Sequence, residues 1–108
     1  MKSLFDPVSI GSIALKNRVI RSATHERAAG EDGRFAGFLA PIYTALAQGG
    51  VGAIVSGMMG VDANSRILPS MADAGTDAAV PDLRRIADIV HSFDCKFLVQ
   101  LAHCGRRA

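Results

Sequence analysis

Tryptophan is absent, tyrosine occurs once, and the 108 residues hold only two cysteines. With Cys95 and Cys104 as the whole thiol inventory and no C-x-x-C pair, neither a zinc ribbon nor a disulfide framework can be assembled, and the thiols read as the reduced ones of a cytoplasmic protein. No apolar run approaches the about 18 residues of a membrane-spanning helix. The start, Met1-Lys2-Ser3-Leu4-Phe5-Asp6-Pro7, meets a charge and a proline before a signal-peptide core could form. Long basic runs are missing too: at net charge +2 there is no stripe for nucleic acid, and the Arg106-Arg107 pair reads as solvated. What remains is a cytoplasmic globular chain with neither a nucleic-acid nor a membrane partner, long enough to bury roughly two thirds of its unfolded surface.

Phosphate loops are equally scarce. The clustered glycines Gly49-Gly50-Val51-Gly52 precede a candidate strand instead of following one, and Val55 stands where the third glycine of a dinucleotide loop belongs. There is no Walker loop and no Gly-x-Ser-x-Gly elbow. A metal site would need His25, His103 and a carboxylate such as Glu26 to converge, and no H-x-H or H-x-x-x-H spacing supports one, so no metal ligands are assigned. His91, on the outer face of a candidate helix, reads as solvated.

What is present is a regular alternation. Val8 to Leu15 reads as a hairpin turning at Gly11-Ser12. Arg18 to Ser22 is a short strand ending in Ala23-Thr24-His25-Glu26, and the glycine-punctuated stretch from Arg27 to Ala36 is a loop. A helix is predicted from Ala36 to Gln48, with Phe35, Phe38, Leu39, Ile42 and Leu46 as its apolar face, Pro41 tolerable only near the first turn, and Gly49-Gly50 as the stop. The unbroken run Val51 to Val55 suits a strand covered on both faces, ending in Ser56-Gly57-Met58-Met59-Gly60. A long irregular connection follows, from Val61 to Val80, with Asn64, Ser65, Pro69, Gly75 and Asp77. A second helix starts at Pro81, with Asp82 near its positive end and Leu83, Ile86, Ala87, Val90 and Phe93 as its buried stripe. The third strand runs from Lys96 to Leu101 and opens into His103-Cys104-Gly105-Arg106.

Hairpin, β, α, β, α, β is two successive βαβ units, hence a parallel α/β sheet, the beginning of a doubly wound fold or of an eight-fold barrel. Both collect ligands at the carboxyl ends of strands, which here are Ala23-Thr24-His25, Ser56-Gly57-Met58 and Gln100 to His103. The Gln100 amide can donate and accept, which suits the edge of a heteroaromatic ring; satisfying neighbouring backbone groups is the other reading, and spacing leaves both open. Thr24 and Ser56 read as local turn or cap donors, and Cys104 as a small half-buried residue with no sign of activation.

Four blocks carry a family resemblance over essentially the whole length: Leu4-Phe5-Asp6-Pro7-Val8-x-Ile10-Gly11 through Leu15-Lys16-Asn17-Arg18-Val19; Arg21-Ser22-Ala23-Thr24-His25-Glu26; Gly49-Gly50-Val51-Gly52-x-Ile54-Val55-x-Gly57; and Gln100-Leu101-x-His103-x-Gly105-Arg106. In this order they resemble the N-terminal part of the old yellow enzyme family of NADH:flavin oxidoreductases, in the version found in the branch of 2,4-dienoyl-CoA reductase and trimethylamine dehydrogenase. The resemblance implies the N-terminal portion of a (β/α)8 TIM barrel, residues 1–108 being an incomplete single FMN-binding domain, because a full barrel takes about 250 residues. It implies FMN as cofactor, NADH or NADPH as hydride donor and an activated alkene as the small-molecule substrate. By position, Ala23, Thr24 and His25 would line the flavin, Gly57 would allow a close approach, Gln100 would bond the pyrimidine edge, and His103 would stand near substrate. No catalytic residue is expected within these residues. The family's substrate-binding His/His or His/Asn pair, flavin arginine, phosphate loops and any iron–sulfur cysteines belong to later parts of the barrel, so the chain alone is expected to be inactive. The alternative is a short non-catalytic α/β module that completes its sheet with another chain, in an oligomer or complex. A flavodoxin-like doubly wound fold is a third reading, without a phosphate loop to support it.

Overall fold

The computed structural model describes residues 3–62, 64, 65 and 70–107. Its first element is the expected hairpin, β1 (Val8–Ile10) and β2 (Ile13–Leu15), paired antiparallel from Val8↔Leu15 to Ile10↔Ile13. Gly11 turns the chain at φ 58°, a conformation that costs glycine nothing. β3 (Ile20–Arg21), α1 (Ala36–Gln48), β4 (Ala53–Gly60), β5 (Ala72–Asp73), α2 (Ala79–His91) and β6 (Lys96–Ala102) follow.

β4 is the central strand. β6 runs parallel along one edge, from Ala53↔Lys96 to Gly60↔Ala102. The other edge is shared: β3 pairs only with Ala53 and Ile54, and β5 only with Met59 and Gly60. β4 reaches Gly60 rather than stopping at Val55, because the register with β6 slips between Val55 and Met58. The slip puts one extra residue into β4 and resets the alternation, so that Ile54 and Met59, five positions apart, both pack into the helix-side core. Ser56 closes the defect. Its buried hydroxyl makes the expected local bond, to the Gly57 carbonyl at 2.8 Å, and adds a tertiary one by accepting the Gln100 amide at 3.0 Å.

Both helices lie on one face of this sheet. α2 buries Ile86 and Val90 as predicted but begins two residues before Pro81, which stands in the first turn where no amide is missed. Phe35 and Leu39 are buried as expected, but the rest of the buried face of α1 lies one residue on from the expectation. Ala36, Leu39, Ala40, Tyr43 and Ala47 are buried, while Phe38 and Ile42 are 56% and 37% exposed. Leu39 and Tyr43 fill the core between the three alanines, and Phe38 and Ile42 are left outside. Pro41 stands in the second turn of α1; its ring is exposed, and so is Gly37, whose carbonyl it leaves open to water.

α1 has no side-chain cap of its own and no acid in its first turn. Asp82 of α2 supplies both. Its buried carboxylate accepts the Phe35 amide at 3.0 Å and both arms of Arg34, Nε at 2.9 Å and Nη2 at 2.6 Å. The Arg34 bonds hold its carboxyl at about 2, below the usual 3.8, with burial opposing them and the Phe35 and Ala36 amides adding to them.

The connection from Val61 to Val80 contains β5, a strand too short for its sequence to announce, and Asp73 donates its amide to Gly33. Pro69 and the Arg107 side chain lie outside the described residues. Among the described residues no helix is long and apolar enough to cross a membrane.

Candidate functional site at the strand ends

By strand alternation, the sheet face opposite the helices carries Ala53, Val55 and Met58 of β4 and Leu98 and Gln100 of β6. At the amino-terminal end of the strands Val55 and Leu98, with Ile20, meet Ile10, Ile13 and Leu15 of the hairpin around an apolar hollow. At the carboxyl end the same face turns polar. Gln100 stands opposite Met58, with its amide nitrogen of the backbone held by Ser56 and its side chain exposed.

The segment leaving β3 reaches the same end. Between the stretches paired with β3 and with β5, the edge of β4 from Val55 to Gly57 meets no strand, and side chains take over the ladder. Arg21 Nη1 donates to the Val55 carbonyl at 3.1 Å, and the Gly57 amide donates to Glu26 Oε2 at 3.4 Å. The two side chains are joined by an Arg21–Glu26 ion pair at 2.8 Å, at 15% and 8% exposure. Tyr43, the single tyrosine, donates its hydroxyl to the same Glu26 oxygen at 2.6 Å, with the Arg21 guanidinium 5.7 Å from its ring centre. Burial, then the bond to Glu26, pushes the Tyr43 phenol well above its usual range, so it stays a donor. Arg21 Nη2 also reaches the Thr24 carbonyl at 3.5 Å. The segment from Ser22 to Glu26 is thus tied to β4 through Arg21 at one end and Glu26 at the other, and braced in the middle by Arg21 itself.

Gly57 is what allows this. A Cβ there would run into the Thr24 carbonyl and the Glu26 carboxylate. The close approach that this glycine permits in the structure is made by the chain itself. Ala23 and Thr24 remain exposed above it, and Thr24 Oγ1 makes the expected local bond, to Ser22 at 3.1 Å. His25 Nε2 is buried without a hydrogen-bond partner, beside a small hollow that Gly57, Met58 and Ser70 also line.

His103 is exposed in the turn after β6. Its Nδ1 accepts the Gly105 amide at 2.9 Å, which leaves Nε2 to carry the proton of the neutral ring, 3.8 Å from Asp62. The Cys104 amide bonds the Ser65 carbonyl at 3.0 Å, tying this turn to the one after β4. Among the described residues no group of histidines, cysteines or carboxylates is placed to hold a metal, and both cysteines are free, with burial raising the Cys95 thiol. The structure therefore brings Ala23, Thr24, His25, Gly57 and Gln100 to one end of one sheet and leaves His103 on its rim. From sequence, Arg21 was named only within a family block, with no role of its own, and Tyr43 was passed over altogether.

An exposed primary amide on the inner face with an exposed segment beside it fits the edge of a flat, hydrogen-bonding heterocycle. The family model described as the NADH:flavin oxidoreductase / NADH oxidase family matches residues 3–108. A metal reductase of Desulforamulus reducens is 35% identical over 108 residues, covering 100% of this chain and 16% of that protein. An NADPH dehydrogenase of Bacillus cytotoxicus is 31% identical over 106 residues, 97% of this chain and 31% of that protein. Among solved structures, the old yellow enzyme homologue from Zymomonas mobilis superposes with a TM-score of 0.87 at 28% identity, over 97% of this chain and 29% of the other. The chain thus spans between 16% and 31% of these two relatives, and its hairpin-led β-α-β-α-β order is that of part of a TIM barrel, not of a doubly wound sheet.

Proposed function

The chain belongs to the NADH:flavin oxidoreductase / NADH oxidase family, and on that premise we propose that its strand ends form one wall of the FMN site of an oxidoreductase of the old yellow enzyme type. Bound there, FMN supplies hydride transfer from NADH or NADPH to an activated alkene. Ala23, Thr24 and His25 line the flavin mainly through backbone groups, and Gly57 lets that segment settle onto β4. Gln100 bonds the pyrimidine edge through its amide, which donates and accepts at once. His103, on the rim, is placed for substrate. The observation that carries this reading is the Gln100 side chain: exposed and polar, at the carboxyl end of a sheet face on which Ile20, Val55 and Leu98 line an apolar hollow.

Replacing Gln100 by leucine is expected to weaken binding of oxidised FMN about tenfold. Reduced FMN loses more, since its pyrimidine edge carries the added charge. Fluorescence-quenching titrations with FMN in both redox states measure the two constants, and unchanged constants in Gln100→Leu would remove Gln100 from the site. The 108 residues by themselves hold FMN weakly, because among the described residues they present a wall for the ring and no loop for its phosphate. Purification of this chain with stoichiometric bound flavin would contradict that.

A further inference from the structure

The Arg21–Glu26 pair is buried in a place where the fold has no strand to put. It satisfies a carbonyl and an amide on the open edge of β4, and through Glu26 it ties the β3 exit to Tyr43 of α1. Three elements, β3, β4 and α1, therefore converge on one carboxylate oxygen, Glu26 Oε2, and the segment that begins and ends at this clasp is Ser22 to Glu26. Charge matters as well as geometry. Arg21 and Glu26 neutralise each other, so the intact clasp presents no net charge to whatever lies over Ala23–His25.

We propose that Glu26 is a positioning residue of the FMN wall: held by Arg21, Tyr43 and the Gly57 amide, it sets how the Ala23–His25 segment meets the flavin and cancels the Arg21 charge beneath it. This rests on the FMN reading above. Neutralising Glu26 leaves the Arg21 cation uncompensated near the ring, which favours the reduced, more negative flavin over the oxidised one. Loosening the clasp without changing charge weakens both redox forms alike.

Three variants separate these effects: Glu26→Gln, Glu26→Ala and Tyr43→Phe, each titrated with oxidised and with dithionite-reduced FMN at a temperature where circular dichroism shows it folded. Tyr43→Phe is expected to weaken both forms severalfold and equally. Glu26→Gln is expected to weaken the oxidised form and to shift the ratio of the two constants about tenfold towards reduced FMN. Glu26→Ala shows the same shift in ratio with a larger loss of affinity, so that glutamine rescues position but not charge. Variants that lose thermal stability while both FMN constants stay at the wild-type values would make the clasp purely structural and overturn the proposal. A wild-type protein that binds neither form of FMN would instead overturn the flavin reading beneath it, an outcome visible before any variant is compared.

Discussion

Asp82→Ala lowers the free energy of unfolding at pH 7 by about 2–3 kcal/mol, a sum of a lost helix cap and lost charge-assisted hydrogen bonds. For a chain of this length the corresponding fall in Tm is about 10 °C or more. The size of the effect comes from position. One carboxylate at the start of α2 caps the start of α1, so its removal takes away a polar tie between the two helices as well as leaving the Phe35 amide without that acceptor. The effect also carries a pH signature. The Asp82 carboxyl sits at about 2 in the folded chain, below its ordinary 3.8. Its stabilisation is therefore complete above about pH 4 and is lost as the pH falls through about 2. Asp82→Asn, which keeps the shape and one acceptor, should flatten the stability profile of the wild type between those limits. Parallel profiles for the two proteins across that window, in urea titrations at a series of pH values, would show that Asp82 is not the group responsible.

Gly57→Ala is expected to cost about 1–3 kcal/mol through overpacking. The added methyl meets the Thr24 carbonyl and the Glu26 carboxylate, and the first of these is backbone that can yield only if the whole β3 exit lifts off β4. Gly37→Ala is the matched control. It sits exposed in α1 with nothing within 4 Å of its Cβ position, and alanine there should stabilise by about 0.5–1 kcal/mol. Urea denaturation of the two variants gives shifts of opposite sign. A neutral Gly57→Ala would mean that Thr24 and Glu26 are not held against β4.

The order of elements was legible because it rests on features that sequence reports directly: the unbroken apolar run into β4, the stop at Gly49-Gly50, and the stripe of α2 with its charges outside. Boundaries failed where one residue's surroundings override the pattern. β4 looked finished at Val55, since the bulge at Ser56-Gly57 breaks the alternation that would have extended it to Gly60. In α1, counting Phe38 and Ile42 as core put part of the buried face one residue off, whereas Leu39, Tyr43 and the alanines fill the core. At the site, the polar strand ends and the family blocks pointed to Ala23, Thr24, His25, Gly57 and Gln100, and these positions do share one end of the sheet. The bonds that hold them there could not be read. Arg21 and Glu26 are five positions apart, a spacing that no regular element brings together, and Arg34–Asp82 and Tyr43–Glu26 are joined only through the fold.

Amide chemical shifts of the isotopically labelled chain, followed while FMN is added, report on the flavin wall even at weak affinity. Shifts concentrated at Ala23, Thr24, His25, Gly57 and Gln100, with the hairpin from Val8 to Leu15 unmoved, are the expected result. Shifts confined to the hairpin end of the sheet, or no saturable shifts at millimolar FMN, would contradict a flavin site at the carboxyl ends of β3, β4 and β6.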